Sequence, residues 1–171
     1  MACEILNGIL GVCDYSASGV QALWLANKAN ITGVTYNVSG EVTGITWLSG
    51  TTLVYAVDAA LDSITFEDSL VINGTRRNFL ETINFGLNSI DATIIGTLED
   101  IGLSNLVAFL EVADGSFRGF GLKGTGLRAT VMVSTSGTAS ANDSKLEITI
   151  AGSNRGKAPI ISTVFAQTFL K

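Results

Sequence analysis

The sequence predicts a mainly β protein, an antiparallel β-sandwich or barrel with one flanking α-helix at about residues 89–101. Segments rich in Val, Ile, Thr and aromatic residues recur along the chain and end at Gly or Ser, which is typical of strands joined by turns. Two dipeptides that favour tight hairpins, Asn73-Gly74 and Asp114-Gly115, each separate two such segments. Helices do not alternate with the strands, which argues against a parallel α/β fold.

One stretch, NSIDATIIGTLEDIG, has helical periodicity. Asn88 or Ser89 suits the N-cap and Gly102 suits the end of the helix. Its apolar residues recur at helical spacing, and they are Ile90, Ile94, Ile95, Leu98 and Ile101. The pattern predicts a single amphipathic helix packed on a sheet.

The longest predicted hairpin runs from residue 62 to residue 87. With Asn73-Gly74 in the turn, Ile72 faces Thr75 and Leu70 faces Arg77. Alternation then gives an apolar face, formed by Ile64, Phe66, Leu70, Phe79, Ile83 and Phe85 together with Asp68, Arg77 and Glu81. The other face is small, polar and mildly acidic, with Thr65, Glu67, Ser69, Asn78, Leu80, Thr82 and Asn84.

A second hairpin turns at Asp114-Gly115. A two-residue turn there places Val112 opposite Phe117 and Glu111 opposite Arg118, which pairs an aromatic with a β-branched residue and an anion with a cation.

Further strand-like segments complete about nine to eleven strands in one domain, 1–171, with N-terminal and C-terminal arms. They are residues 19–28, 31–38, 41–48, 51–57, 126–135 and 145–151, while 136–144 form a linker-like loop. The last residues, IISTVFAQTFLK, are apolar for a chain end. This tail is expected either to close the sheet or to lie on a neighbouring subunit.

The composition favours a protein that assembles with other protein. Hydrophobic residues make up 47% of the chain and charged residues only 15%, against a usual charged share of about 25%. The alternative is a monomer whose surface is covered by Thr, Ser, Asn and Gly. The net charge of −5 argues against gripping nucleic acid, but it is compatible with letting nucleic acid slide past.

Candidate chemistry is sparse, and no enzyme, metal or cofactor is predicted. The chain has no histidine, and its two cysteines, Cys3 and Cys13, are too few for a zinc site. Four carboxylates, Asp62, Glu67, Asp68 and Glu81, offer a pair for glycoside hydrolysis, but a structural ion pair between Asp68 and Arg77 is the favoured interpretation. The glycines of GFGLKGTGL match no phosphate-binding motif.

The start MACEILNGILGVC lacks a basic residue and carries Glu4, so no export signal and no membrane partner are predicted.

The order of elements resembles the tail tube (major tail) proteins of long-tailed bacteriophages. The likeness rests on a short MAC start, a long hairpin ending in NFLETINFGL, one helix, a strand–DG–strand unit and two late strands. It implies a β-sandwich subunit that forms hexameric rings, with the rings stacked into a hollow tube through which DNA passes unbound. The location would be the virion, assembled in the host cytoplasm. The partners would be further copies of the chain and other virion proteins, and the family has no catalytic residues.

Two sets of residues follow from this resemblance. The polar hairpin face is expected to line the lumen or a subunit boundary, through Thr65, Glu67, Ser69, Asn78, Thr82 and Asn84. The hairpin turn and the tail are expected to contact other subunits, through Asn73, Gly74, Arg76, Arg77, Ile160, Ile161, Phe165 and Phe169.

Two other functions fit the same sequence. A capsid decoration or head–tail joining protein would share the composition and form trimers or one fixed ring. A carbohydrate- or ligand-binding β-sandwich would need exposed aromatic residues, whereas Trp24 and Trp47 lie in apolar segments and are expected to be buried.

Overall fold

A computed structural model of the chain describes residues 2–5, 9–12, 19–48, 53–59, 63–87, 99–135 and 145–170. Several sequence predictions lie outside these ranges: residues 89–98 of the predicted helix, Cys13, Asp62 and the loop 136–144.

The described residues form thirteen strands, which exceeds the nine to eleven predicted. Two short strands near the start, β1 (Ala2–Ile5) and β2 (Ile9–Val12), make a separate two-stranded hairpin. The remaining strands are β3 (Val20–Asn27), β4 (Ile31–Tyr36), β5 (Val42–Trp47), β6 (Tyr55–Val57), β7 (Thr65–Asn73), β8 (Arg76–Leu87), β9 (Leu106–Val112), β10 (Phe117–Phe120), β11 (Arg128–Thr135), β12 (Lys145–Asn154) and β13 (Ile160–Ile161).

These strands build two further sheets that pack as a sandwich. The seven-stranded sheet has the order β4-β5-β13-β10-β9-β3-β6, and the four-stranded sheet has the order β11-β12-β8-β7. The predicted mainly β fold is therefore confirmed. The seven-stranded sheet is mixed rather than antiparallel, because Ile161 of β13 pairs in parallel with Val42 of β5.

Strand β9 shows how the core is divided. Leu106, Ala108 and Leu110 point into a cluster between the two sheets, where they meet Ile83 and Ile150. Val107 and Phe109 point to the other side, into a second cluster. A strand that is buried on both faces loses the polar alternation of a surface strand, which explains the continuous apolar run LVAFL.

Two α-helical segments flank the sheets, and a short 3-10 helix, Lys28–Asn30, joins β3 to β4. Residues 99–103, labelled α1, are helical, and they overlap the end of the helix predicted at 89–101. The segment α2 (Thr163–Phe169) was not predicted as a helix. Its apolar residues recur four apart, Phe165 with Phe169 and Ala166 with Leu170, so that one side covers the second cluster. This segment is a short helix additional to the one predicted.

The hairpin between β9 and β10 differs by one residue from its predicted register. Phe117 lies opposite Glu111 and Arg118 opposite Leu110, so the predicted ion pair of Glu111 with Arg118 is wrong. Val112 instead accepts the N–H of Gly115 and donates to Ser116, which makes a three-residue loop. Gly115, at φ +79°, supplies the left-handed residue that ends such a loop.

Gly152 marks a close approach between β12 and the loop that precedes β11. A Cβ on Gly152 would lie 2.5 Å from the carbonyl oxygen of Gly126, which is backbone and cannot rotate away. Gly152→Ala is therefore expected to reduce the free energy of unfolding by about 1–3 kcal/mol in urea titrations. The control is Gly33→Ala, another mid-strand glycine, whose Cβ would meet only the Thr46 side chain at 3.5 Å. Equal effects of the two changes would contradict this account.

Candidate assembly surface

The polar face predicted for the long hairpin lies on the outside of the four-stranded sheet. Thr65 pairs with Asn84 and Glu67 pairs with Thr82, and their neighbours in each strand face the core. The six predicted residues share this outer face, where four are exposed and two are half-buried: Thr65, Glu67, Asn78 and Asn84, then Ser69 and Thr82. The structure thus brings together every residue of this predicted set.

A row of hydrogen bonds fixes the polar face across the strands. The Asn84 side-chain N–H donates to Thr65 Oγ1 at 3.3 Å, and Thr149 Oγ1 donates to Asn84 Oδ1 at 2.7 Å. Thr130 Oγ1 donates to the carbonyl of Thr149 at 3.2 Å. Thr149 and Thr130 were missed in the sequence, because alternation within one strand does not show which strand lies beside it.

The charged residues at the centre of this outer face are acidic. On the outer positions of Thr65–Ser69, Leu80–Asn84 and Glu147–Ser153, the charged side chains are Glu67 and Glu147. This part of the face is rich in hydroxyl and amide groups and has no positive charge to attract phosphate.

The tip of the β7–β8 hairpin extends beyond the rest of its sheet. The last pair between β12 and β8 joins Asn154 to Phe79, and residues 70–78 are all exposed. We call residues 70–78 the arm. Its β7 strand carries three consecutive apolar residues, Leu70, Val71 and Ile72, which are 50%, 43% and 61% exposed.

The turn of the arm is one step later than predicted. Asn73 pairs with Arg76 and Ile72 with Arg77, so Gly74 and Thr75 form the turn, with Gly74 at φ +61°. The predicted register, which placed Ile72 opposite Thr75, is wrong by two residues. An even error keeps every side chain on its predicted face. The predicted contact residues Asn73, Gly74, Arg76 and Arg77 all lie at the exposed tip.

Both edges of the four-stranded sheet are long. Its outermost strands are β7, with 9 residues, and β11, with 8 residues, and no further strand of the described ranges pairs with either. Unpaired backbone groups along such an edge are a template for pairing with another chain.

The C-terminal residues pack mainly on their own chain. Ile161 is 1% exposed and lies in the second core cluster, so its side chain is not available to a neighbour. The Phe169 ring packs against Phe109 at 5.2 Å between centroids and against Phe165 at 4.8 Å. Of the four predicted tail contacts, Ile160 offers the largest exposed fraction, 47%.

The carboxylates considered for hydrolysis do not form an accessible site. Asp68 and Glu81 are opposite each other on β7 and β8, and Glu81 is 0% exposed, so no substrate reaches it. Glu67 points to the outer face, away from both. Arg77 lies on the arm opposite Ile72, so the predicted ion pair of Asp68 with Arg77 is replaced by this carboxyl pair.

The buried Glu81 is held by two hydrogen bonds to the same oxygen. Its Oε2 accepts from the Gly121 N–H and from the Asn154 side-chain N–H, each at 2.6 Å. Burial raises the pKa of Glu81 to about 7, against the lowering effect of these bonds. Asp68 Oδ2 accepts from the Ala158 N–H at 3.1 Å. Asp68 and Glu81, at the base of the arm, are therefore hydrogen-bonded to two loops, 121–127 and 155–159.

The glycines of GFGLKGTGL serve packing. Gly121 and Gly126 have positive φ, and a Cβ on either would lie 2.8 Å from the carbonyl oxygen of Leu106. Among the described residues, no cluster of three or more His, Cys, Asp or Glu could hold a metal. None of the helices within those ranges is long and apolar enough to cross a membrane.

Exposed charges separate toward the two ends of the sandwich. Lys123, Arg155 and Lys157 lie in loops at the end where β12 finishes, and the arm with its two arginines extends past the same end. Asp58 and Asp114 lie at the other end, beside the start of β3. These lysines and arginines therefore lie at one end of the sandwich, and these two aspartates lie at the other.

Comparison with protein-family models, with curated proteins and with solved structures finds no match for this chain.

Proposed function

We propose that this chain is a tail tube subunit of a long-tailed bacteriophage, which assembles into stacked rings around a channel for DNA. The observation that carries the proposal is the four-stranded sheet, which combines a polar outer face, two long unpaired edges and a projecting arm. The edges and the arm suit contact between copies, and the polar face suits the wall of a channel.

The edges suit side-by-side contact within a ring. The edge strand β7 of one copy has the length to pair with the edge strand β11 of the next, 9 residues against 8. Repeating this contact around a closed ring satisfies the backbone groups at both edges of every four-stranded sheet. The outer face of each four-stranded sheet then becomes part of one continuous inner wall.

The outer face suits the wall of a DNA channel. Its central charges, Glu67 and Glu147, repel phosphate, and hydroxyl and amide groups surround them. The same face also exposes apolar side chains, namely Leu80, Val131 and Val133. A wall of this kind lets DNA pass without holding it, because binding requires Lys or Arg to neutralise phosphates.

The charge separation and the arm suit stacking of rings. The basic loops at one end of a copy are complementary to Asp58 and Asp114 at the other end of a copy in the next ring, and a head-to-tail contact of this kind repeats without limit. The exposed apolar strand of the arm gives such a contact apolar area that becomes buried on assembly.

Placing lysines on the outer face tests the channel. Thr65→Lys with Thr82→Lys puts two cations per subunit on the proposed inner wall, and the infectivity of particles carrying this variant is expected to fall at least about tenfold. The control is Thr43→Lys, at an exposed threonine of β5 in the other sheet. Normal tubes with normal infectivity in the double variant would refute the placement of this face in the lumen.

A further inference from the structure

The base of the arm contains a buried polar cluster with more acceptors than donors. It is formed by Asp68 of β7, Glu81 of β8 and Asn154 of β12. Three of its oxygens are buried and have no hydrogen-bond partner, namely Asp68 Oδ1, Glu81 Oε1 and Asn154 Oδ1. The backbone N–H groups of Gly121 and Ala158 and the Asn154 amide donate only to the other two carboxylate oxygens.

Two ionised carboxylates would be unfavourable in this arrangement. Asp68 and Glu81 are direct partners across neighbouring strands, so their Cβ atoms are about 4.5–5.5 Å apart and their charges repel. Glu81 and Asn154 are 0% and 1% exposed, so solvent does not replace the missing donors.

A single added proton corrects this imbalance. A hydrogen on Glu81 Oε1 removes one of the two negative charges and turns an unpaired acceptor into a donor. Asp68 Oδ1 and Asn154 Oδ1 are the unpaired acceptors of the same cluster. We propose that Asp68, Glu81 and Asn154 form a proton-binding site, in which a proton on Glu81 fixes the base of the arm to the loops 121–127 and 155–159.

The surrounding charges act on this proton in opposite directions. Burial is the largest cause that raises the pKa of Glu81 to about 7, and the charge of Asp68 adds to it. Lys123, in the loop after β10, lowers the pKa of Glu81. Arg118 of β10 lies over the Phe66 ring, with its guanidinium carbon 5.5 Å from the ring centroid. Phe66 is two residues before Asp68 on β7 and faces the same side of the sheet.

The expected pH dependence follows from the two states of the chain. In the unfolded chain Glu81 ionises near its ordinary value of 4.5, whereas in the folded chain it keeps the proton until about pH 7. The folded state therefore binds more protons between these two values, and its stability falls as the pH rises from about 4.5 to about 7. Above that range the contribution of Glu81 is constant. The site belongs to the folded subunit and does not depend on tail assembly.

Glu81→Gln tests the site, because glutamine has the shape of a protonated glutamate and donates from a nitrogen at every pH. The unfolding temperature of E81Q minus that of the wild type is expected to grow by about 5–10 °C between pH 5 and pH 8. The matched control is Glu67→Gln, one residue from Asp68 on the exposed outer face, for which this difference should not change with pH. A difference for E81Q that is equally independent of pH would overturn the proposal.

Infrared spectroscopy of the folded wild type gives a second readout. A protonated carboxyl C=O band should persist to about pH 7 and be absent from E81Q. If E81Q does not fold, Asp68→Asn replaces it, since removal of that charge should move the loss of the band to lower pH. Absence of the band at pH 6 would overturn the proposal. Stabilisation of the wild type by CaCl₂ at pH 8, lost in E81Q, would also overturn it and assign the site to a cation.

Discussion

Replacing Val71 and Ile72 by aspartate is expected to abolish self-assembly and to leave the fold of the subunit unchanged. Both side chains lie on the exposed arm, and neither belongs to a core cluster. If the arm packs against another copy, the two carboxylates would be buried there without partners. Burying an unpartnered charged group costs about 2 kcal/mol or more, so the two changes together should weaken the contact by more than about a hundredfold.

Light-scattering mass, measured on wild type and V71D/I72D at equal concentration, checks this expectation. The control is the double change Leu103→Asp and Val164→Asp, which adds the same charge at exposed apolar side chains outside the arm. Urea unfolding of each variant shows whether the fold is kept. Assembly of V71D/I72D at the wild-type level would contradict the role of the arm, and equal loss in both variants would point to net charge instead.

Phe169→Ala is expected to reduce the free energy of unfolding of the isolated subunit by about 3 kcal/mol. The Phe169 ring packs on Phe109, Phe165 and Trp47, and it covers the second core cluster from the C-terminal end. Its removal takes apolar area out of contact and leaves a cavity beside Phe109. The cost is at the lower end of the range for phenylalanine, because Phe169 is only half-buried.

Chemical denaturation of dilute protein measures this loss, with Val164→Ala as the matched change on the same helix. Val164 is 79% exposed, so its truncation should change the free energy of unfolding by less than about 0.5 kcal/mol. Comparison of Phe169→Ala with Val164→Ala also shows whether the C-terminal tail packs on its own chain. A Phe169→Ala subunit as stable as the wild type, but defective in assembly, would mean that the tail packs on a neighbour rather than on its own chain.

Local pattern in the sequence was sufficient for the fold class and for the faces of the β7–β8 hairpin. Alternation assigns each side chain to a face regardless of its cross-strand partner. The predicted faces of this hairpin are therefore correct, although its register at Asn73-Gly74 is wrong by two residues. The β9–β10 hairpin has an odd error, which pairs Glu111 with Phe117 instead of Arg118. Turn length depends on backbone angles such as the positive φ of Gly115, which a dipeptide alone does not specify.

The location of the arm was predictable, but the exposure of its apolar side chains was not. Alternation places Leu70 on the core face, and the structure exposes it because β12 ends at Asn154, opposite Phe79. The end of a neighbouring strand is a tertiary property that β7 and β8 do not encode. For the same reason the sequence did not show that Asp68 lies beside Glu81 or that Thr149 joins the polar face. The interpretation of residues 160–171 as a tail missed α2, whose four-residue repeat covers barely two turns.

Negative-stain electron microscopy of the purified protein at high concentration, with light-scattering mass on the same sample, tests the proposed assembly most directly. We expect rings or hollow tubes of uniform width, whose wall contains the four-stranded sheets. Discrete trimers would contradict the tail tube and favour a capsid decoration protein. A monodisperse monomer at every concentration would contradict assembly altogether and favour a ligand-binding β-sandwich.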